Sequence, residues 1–181
     1  MVQDMDIVMA QERINRAKNM KNKEFIIKAI MSGLLIGLCA DINNRIGGLC
    51  GAFLFSIGLL TICMLELSLF TGKVGSSNNT KELFTTFVLN IFGVIIMRVL
   101  FSFNNMFVLG IGCGMLMQIG VTAYKKNLPI LTIMCVMAFI LAGYKHCIAY
   151  AYNSLDVMSF ALIVLGNIIG AKICYYGGVK L

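Results

Sequence analysis

The chain has 181 residues, of which 59% are hydrophobic and 13% charged, with a formal net charge of +7 and a mean hydropathy of +0.88. One soluble core cannot hide that much apolar surface, so a water-soluble globular domain is excluded and a bilayer is the expected solvent. The positive balance does not point to nucleic acid, because the basic residues are scattered along the ends of apolar segments, as topology signals are.

In chain order, the first two dozen residues are polar and amphipathic, with Arg13, Arg16, Lys18, Lys21 and Lys23. No cleavable signal peptide is read in them, and a cytoplasmic N-terminus is expected. Met5, Ile7, Val8, Met9 and Ile14 among those charges suggest an interfacial helix on the membrane surface, with a mobile tail as the competing reading. Residues 1–24 are therefore expected to form a cytoplasmic segment and residues 25–181 a single transmembrane domain. Apolar segments follow near residues 25–42, 46–66, 80–103, 106–123, 128–144 and 155–178, each about long enough to span. With six spans, Lys28, Lys73, Lys81, Lys125, Lys126, Lys172 and Lys180 fall on the side of the N-terminus, and Arg45 and Arg98 fall opposite. The positive-inside rule then puts both termini in the cytoplasm of a multi-pass protein of the cell membrane.

Two of the six segments are interrupted. Glu66-Leu67-Ser68-Leu69-Phe70-Thr71-Gly72 follows the second apolar run and Gly143-Tyr144-Lys145-His146 the fifth. Charge and glycine there imply broken helices, and irregular backbone at membrane depth is tolerated only where it lines a cavity or is buried in protein. Each break could equally be a helix end at the membrane surface. A second parallel accompanies the breaks: Asn90-Ile91-Phe92-Gly93 lies in the third span and Asn167-Ile168-Ile169-Gly170 in the sixth. Asparagine bonds across helices and glycine permits close approach. Together these features suggest two three-helix repeats, which an odd number of spans per repeat makes inverted, with a substrate path between them.

His146 is the single histidine. An ionisable side chain at membrane depth is costly and normally faces a cavity or a partner, and histidine changes charge near physiological pH. The plainer reading is a helix-packing histidine. The seven cysteines contain no C-x-x-C pair, so neither a metal site nor any other cofactor is expected. Cys147 stands beside the histidine.

These motifs together resemble the formate/nitrite transporter family. Leu69-Phe70-Thr71-Gly72 is similar to that family's break in its second helix, Gly143-Tyr144-Lys145-His146-Cys147-Ile148-Ala149 to the break in its fifth, and Gly166-Asn167-Ile168-Ile169-Gly170 to its sixth helix. The resemblance runs from about residue 25 to the C-terminus. It implies an all-α integral membrane protein with six transmembrane helices in aquaporin-like inverted repeats, assembled as a homopentamer. It also implies that Thr71 and His146 face the centre of a pore between two hydrophobic constrictions. Phe55, Leu59, Leu69, Phe70 and Phe139 fall at positions resembling the constriction residues, with Met117 as a looser candidate. Without the resemblance, helix packing would be the reading for every one of these apolar residues.

The chain departs from the family pattern at charged positions. The loop glutamate is Ser68 here, with Glu66 two residues earlier, and the glutamate before the histidine is Lys145. Glu66 and Lys145 could satisfy one another, or Lys145 could meet lipid headgroups. Gly114 replaces an asparagine of the fourth helix, which would remove a hydrogen-bonding partner of the histidine. The connection between the third and fourth spans is short, a tight turn at Asn104 and Asn105. Arg98 stands near the place of a vestibule lysine: it either attracts anions or snorkels to the interface as an ordinary end-of-helix arginine.

The function expected from the resemblance is a channel or transporter for small monovalent anions or their conjugate weak acids, such as formate, nitrite, hydrosulfide or short carboxylates. The alternatives are a pore for small neutral solutes, or a non-conducting assembly partner of the same fold. A thiol enzyme using Cys147 beside His146 is chemically conceivable, but no third catalytic group is recognisable, and no enzymatic activity is expected.

Overall fold

The computed structural model describes the backbone of residues 2–154 and 156–180, with side chains from residue 20 onward. The side chains of Met5, Ile7, Val8, Met9 and Ile14, on which the interfacial reading rests, lie outside the described residues. Eight helices follow in order: α1 (Val2–Ile46), α2 (Gly48–Met64), α3 (Phe70–Lys73), α4 (Thr80–Ser102), α5 (Met106–Lys125), α6 (Pro129–Leu141), α7 (Cys147–Asn153) and α8 (Val157–Tyr176). The protein is an all-α, multi-pass integral membrane protein. Met20–Ile46 of α1, α4, α5 and α8 are each long and apolar enough to cross a bilayer, while α2 and α6 are shorter apolar helices. The apolar segments read from hydropathy coincide with these helices to within a few residues, and α1 runs unbroken through residues 24 and 25.

Local chemistry sets the helix ends. Asn79, Asn105 and Asp156 each accept a hydrogen bond from a backbone N–H of the first turn of α4, α5 and α8, which satisfies donors that the helix leaves free. Pro129 opens α6, where its missing N–H costs nothing. Gly47 and Gly48, at φ +70° and +56°, turn the chain between α1 and α2, and Gly143, at φ +75°, terminates α6. Glycine takes this left-handed conformation without the Cβ clash that other residues suffer.

Packing is organised as two similar halves. In the first, α1 lies against α2 and α4; in the second, α5 lies against α6 and α8. Close approach depends on absent side chains. A Cβ on Gly93 would overlap the backbone of α1 at Ile30 to Leu34, and one on Gly170 would overlap α5 at Ile111 to Met115. Of the most apolar window of α5, 72% is buried, against 22% for α4 and for α8, so α5 is the central helix and α4 and α8 turn apolar faces outward. One end of the molecule gathers Lys23, Glu66, Lys126 and Lys180 around a cavity. The other gathers Asp41, Arg45, Asn104 and Tyr144 in a hydrogen-bond network. Lys23 and Asp41 both lie on α1, separated by about 27 Å of helix at 1.5 Å per residue.

Candidate functional site

The two helix breaks are short non-helical straps, residues 65–69 between α2 and α3 and residues 142–146 between α6 and α7. Each is held by one asparagine near the middle of a long helix. The Nδ2 of Asn90 donates to the carbonyls of Ser68 (2.9 Å) and Ala29 (2.8 Å), and its Oδ1 accepts from the N–H of Phe70 (2.8 Å). The Nδ2 of Asn167 donates to the carbonyls of Lys145 (2.8 Å) and Gly110 (2.9 Å), and its Oδ1 accepts from the N–H of Cys147 (2.9 Å). The separations along the chain from strap to asparagine are 20 and 22 residues in both halves. These amides satisfy backbone groups that a broken helix would otherwise leave unpaired in apolar surroundings, a cost that excludes most irregular structure from membranes.

The correspondence assigns each strap residue a counterpart. Leu69 immediately precedes Phe70, the first residue of α3, and His146 immediately precedes Cys147, the first residue of α7. The first half thus carries a leucine where the second carries the single histidine. His146 is half-buried, with its ring 5.8 Å from that of Phe139, centroid to centroid. Its Nδ1 accepts from the N–H of Ala149 at 3.4 Å, which favours the tautomer with the proton on Nε2. The Nε2–H has no protein partner among the described residues, so it is free to donate to a solute.

The residue pair before His146 is anchored separately. The N–H of Lys145 donates to the carbonyl of Leu109 at 3.2 Å. Tyr144 donates through its hydroxyl to Asp41 Oδ2 at 2.6 Å, and Arg45 Nε donates to the same oxygen at 2.5 Å. The Arg45 guanidinium lies 5.4 Å from the centre of the Tyr144 ring, and Phe101 stacks on that ring at 5.4 Å between centroids. Arg45 also donates to Asn104 at 3.0 Å. Sequence reasoning missed Asp41, Arg45 and Tyr144 as a unit; the local signal was the Asp41–Arg45 spacing of four on one helix face. It also treated Asn90 and Asn167 as packing residues, whereas each amide holds a strap.

The remaining expected pore residues divide into groups. Phe55, Leu59, Leu69, Phe70 and Thr71 line one predominantly apolar cavity of about 360 Å³, together with Gly33, Phe87 and Asn90. Neither Phe139, His146 nor Met117 lines that cavity; Met117 is half-buried on α5 against the core. No hydrogen bond joins Thr71 to His146 among the described residues.

No family model, curated protein or solved structure matches this chain. The charged positions separate as well. Glu66 and Lys145 do not pair: the ion pairs among the described residues are Lys28–Glu24, Arg45–Asp41 and Lys73–Glu82. Glu66 is exposed in the basic cavity, whereas Lys145 follows the Tyr144 network at the other end. Arg98 is exposed on α4 and lines a cavity of about 430 Å³ with Asp41 and Asn44. At position 114 a side chain would meet the Asn167 backbone, so glycine there lets α5 and α8 approach, and the missing asparagine has a packing cause.

Proposed function

We propose that this chain is a membrane channel or transporter for small monovalent anions or their conjugate weak acids, built as the formate/nitrite transporters are. Six crossings, by α1, α2–α3, α4, α5, α6–α7 and α8, would form two inverted repeats, with both termini in the cytoplasm and five copies in the assembly. The single supporting observation is the asymmetry between the straps: two similar asparagine-held breaks, one ending in Leu69 and the other in His146 with a free Nε2–H. A half-buried histidine beside the Phe139 ring offers a hydrogen bond to an anion that is shedding its hydration. Apolar rings such as Phe55, Phe70 and Phe139 reject solutes that stay charged, because desolvating a bare ion costs far more than desolvating its neutral acid. Thr71 offers a hydroxyl to orient the solute. For proton transfer His146 must first take a second proton on Nδ1 from the aqueous side, releasing the Ala149 N–H; the imidazolium then gives its Nε2 proton to the anion, which crosses as the neutral acid and leaves a neutral imidazole to be protonated again.

The cavity beside Thr71 is lined mostly by apolar groups, which favours, as a second reading, a pore for small neutral solutes. Flux of formate, nitrite and hydrosulfide into proteoliposomes across a pH series, for the native chain and His146→Asn, separates the two. Selective flux that rises at mildly acidic pH and falls at least tenfold in the variant supports the proposal. Equal flux of a neutral solute in both proteins, with none for the anions, overturns it.

A further inference from the structure

We propose that the cavity at the basic end binds a phosphate-bearing anion, with Lys23, Lys126 and Lys180 as its donors. This cavity has a volume of about 720 Å³ and is open to solvent, with Lys23, Lys126 and Lys180 exposed on its walls. Four lysines and two glutamates line it, a surplus of two positive charges. Lys28 is taken up by Glu24 at 2.9 Å. Lys23, Lys126 and Lys180 form no ion pair among the described residues, though the Lys180 ammonium lies 5.7 Å from the centre of the Tyr175 ring, and Glu66 is the one other carboxylate on the wall. A phosphate monoester supplies acceptor oxygens and nearly two negative charges at neutral pH, a diphosphate somewhat more, and lysine ammonium groups supply only donors, so charge sign and hydrogen-bonding capacity match. A small monoanion would leave one positive charge uncompensated, which separates this site chemically from the path beside His146.

The lysines come from three distant parts of the chain, and two of them follow ordered backbone. Lys180 follows Val179, whose side chain is fully buried, whose N–H donates to the Cys174 carbonyl at 2.8 Å and whose carbonyl accepts from Gln118 at 2.9 Å. Gly178, at φ +102°, makes that turn possible. Lys126 ends α5 at a turn closed by Asn127, at φ +60°. A cation after a helix C-terminus is favoured by the helix dipole in any protein, which alone accounts for Lys126 and Lys180. It does not account for Lys23, which lies within α1 and lines the same space. Met20, Ile27 and Met64 supply an apolar wall, suited to the carbon body of the ligand. The cavity lies at the end of membrane-crossing helices, where basic pockets meet lipid headgroups, and the same chemistry fits a soluble phosphate compound.

The test uses the full chain in phosphatidylcholine nanodiscs with two probes: inorganic pyrophosphate, followed by calorimetry, and phosphatidic acid doped into the disc, followed by phosphorus NMR. Pyrophosphate binding that persists with phosphatidic acid present identifies a soluble source, and binding abolished by the doped lipid identifies a headgroup; either supports the site. The double substitution K126Q/K180Q should weaken binding about 10- to 30-fold, at roughly fivefold per basic residue near an anionic group. E66Q should tighten it several-fold, a gain that misfolding cannot produce. Absence of binding by both probes, or native affinity in both variants, overturns the proposal.

Discussion

Replacing Asn167 with alanine removes three hydrogen bonds at once, to Cys147, Lys145 and Gly110. Interhelical hydrogen bonds in membrane proteins contribute about 0.6 to 1.7 kcal/mol each, so the expected loss is about 3 kcal/mol. That estimate is a lower figure if the freed carbonyls and N–H find no water, since each unsatisfied buried group costs about 1–3 kcal/mol. The loss should be local, because the Lys145 N–H keeps its bond to Leu109 and Tyr144 keeps its bond to Asp41. Cys147 reports it: the residue is half-buried at the start of α7, and strap opening exposes its thiol. At 1.36 kcal/mol per factor of ten, about 3 kcal/mol raises the open population on the order of a hundredfold. The assay is maleimide labelling of Cys147 in a background where exposed Cys50 and Cys63 are serine, with circular dichroism for global unfolding because the chain has no tryptophan. Asn90→Ala is the matched control: it removes three hydrogen bonds in the other half and should leave labelling of Cys147 unchanged. Native labelling rates in Asn167→Ala would show that the amide does not hold the strap.

Two further perturbations test the packing and the anchor. Gly170→Ala, whose Cβ would run into the Ile111 carbonyl, should separate α5 from α8 at about 1–3 kcal/mol and lower the thermal midpoint, while Gly72→Ala, in open space, should leave it unchanged. Asp41→Asn removes the carboxylate shared by Arg45 and Tyr144; both charged groups are only about one-fifth exposed, so screening is weak and the loss of charge-assisted hydrogen bonds should cost about 1.5–3 kcal/mol, read as a fall in thermal midpoint with circular dichroism at constant helix content.

Much of the fold was legible because apolar run length is a direct consequence of bilayer thickness; the exact helix limits at Asn79, Asn105 and Pro129 rest on capping chemistry that the hydropathy reading did not use. The recurrence of Asn-x-x-Gly was legible too, because a strap and its asparagine lie on neighbouring stretches of chain at a fixed separation. Glu66 and Lys145 form no ion pair for a geometric reason: Glu66 stands where its strap leaves α2, in the basic cavity, whereas Lys145 follows Tyr144 and its network with Asp41 toward the other end, and opposite charge in a sequence carries no information about depth. Gly33 and Gly114 could have been found by internal comparison, since each packs against the carbonyl of the strap-holding asparagine of its own half. Asp41, Arg45 and Tyr144 were harder, because Tyr144 meets Asp41 across 103 residues of chain and nothing local marks that contact.

The asparagine latches also constrain how the protein matures. A broken segment emerges from the ribosome about 20 residues before the amide that completes it, so at synthesis rates of roughly 5–20 residues per second it waits for one or more seconds with carbonyls and an N–H unmatched. Every partner of Asn90 precedes it in the chain, and the first half can therefore close before α5 is made. The second half repeats the sequence of events with the bond that Asn167 donates to the Gly110 carbonyl, so the order of synthesis permits two successive closures, and the interval before each is when chaperones and membrane proteases would meet an incompletely bonded chain.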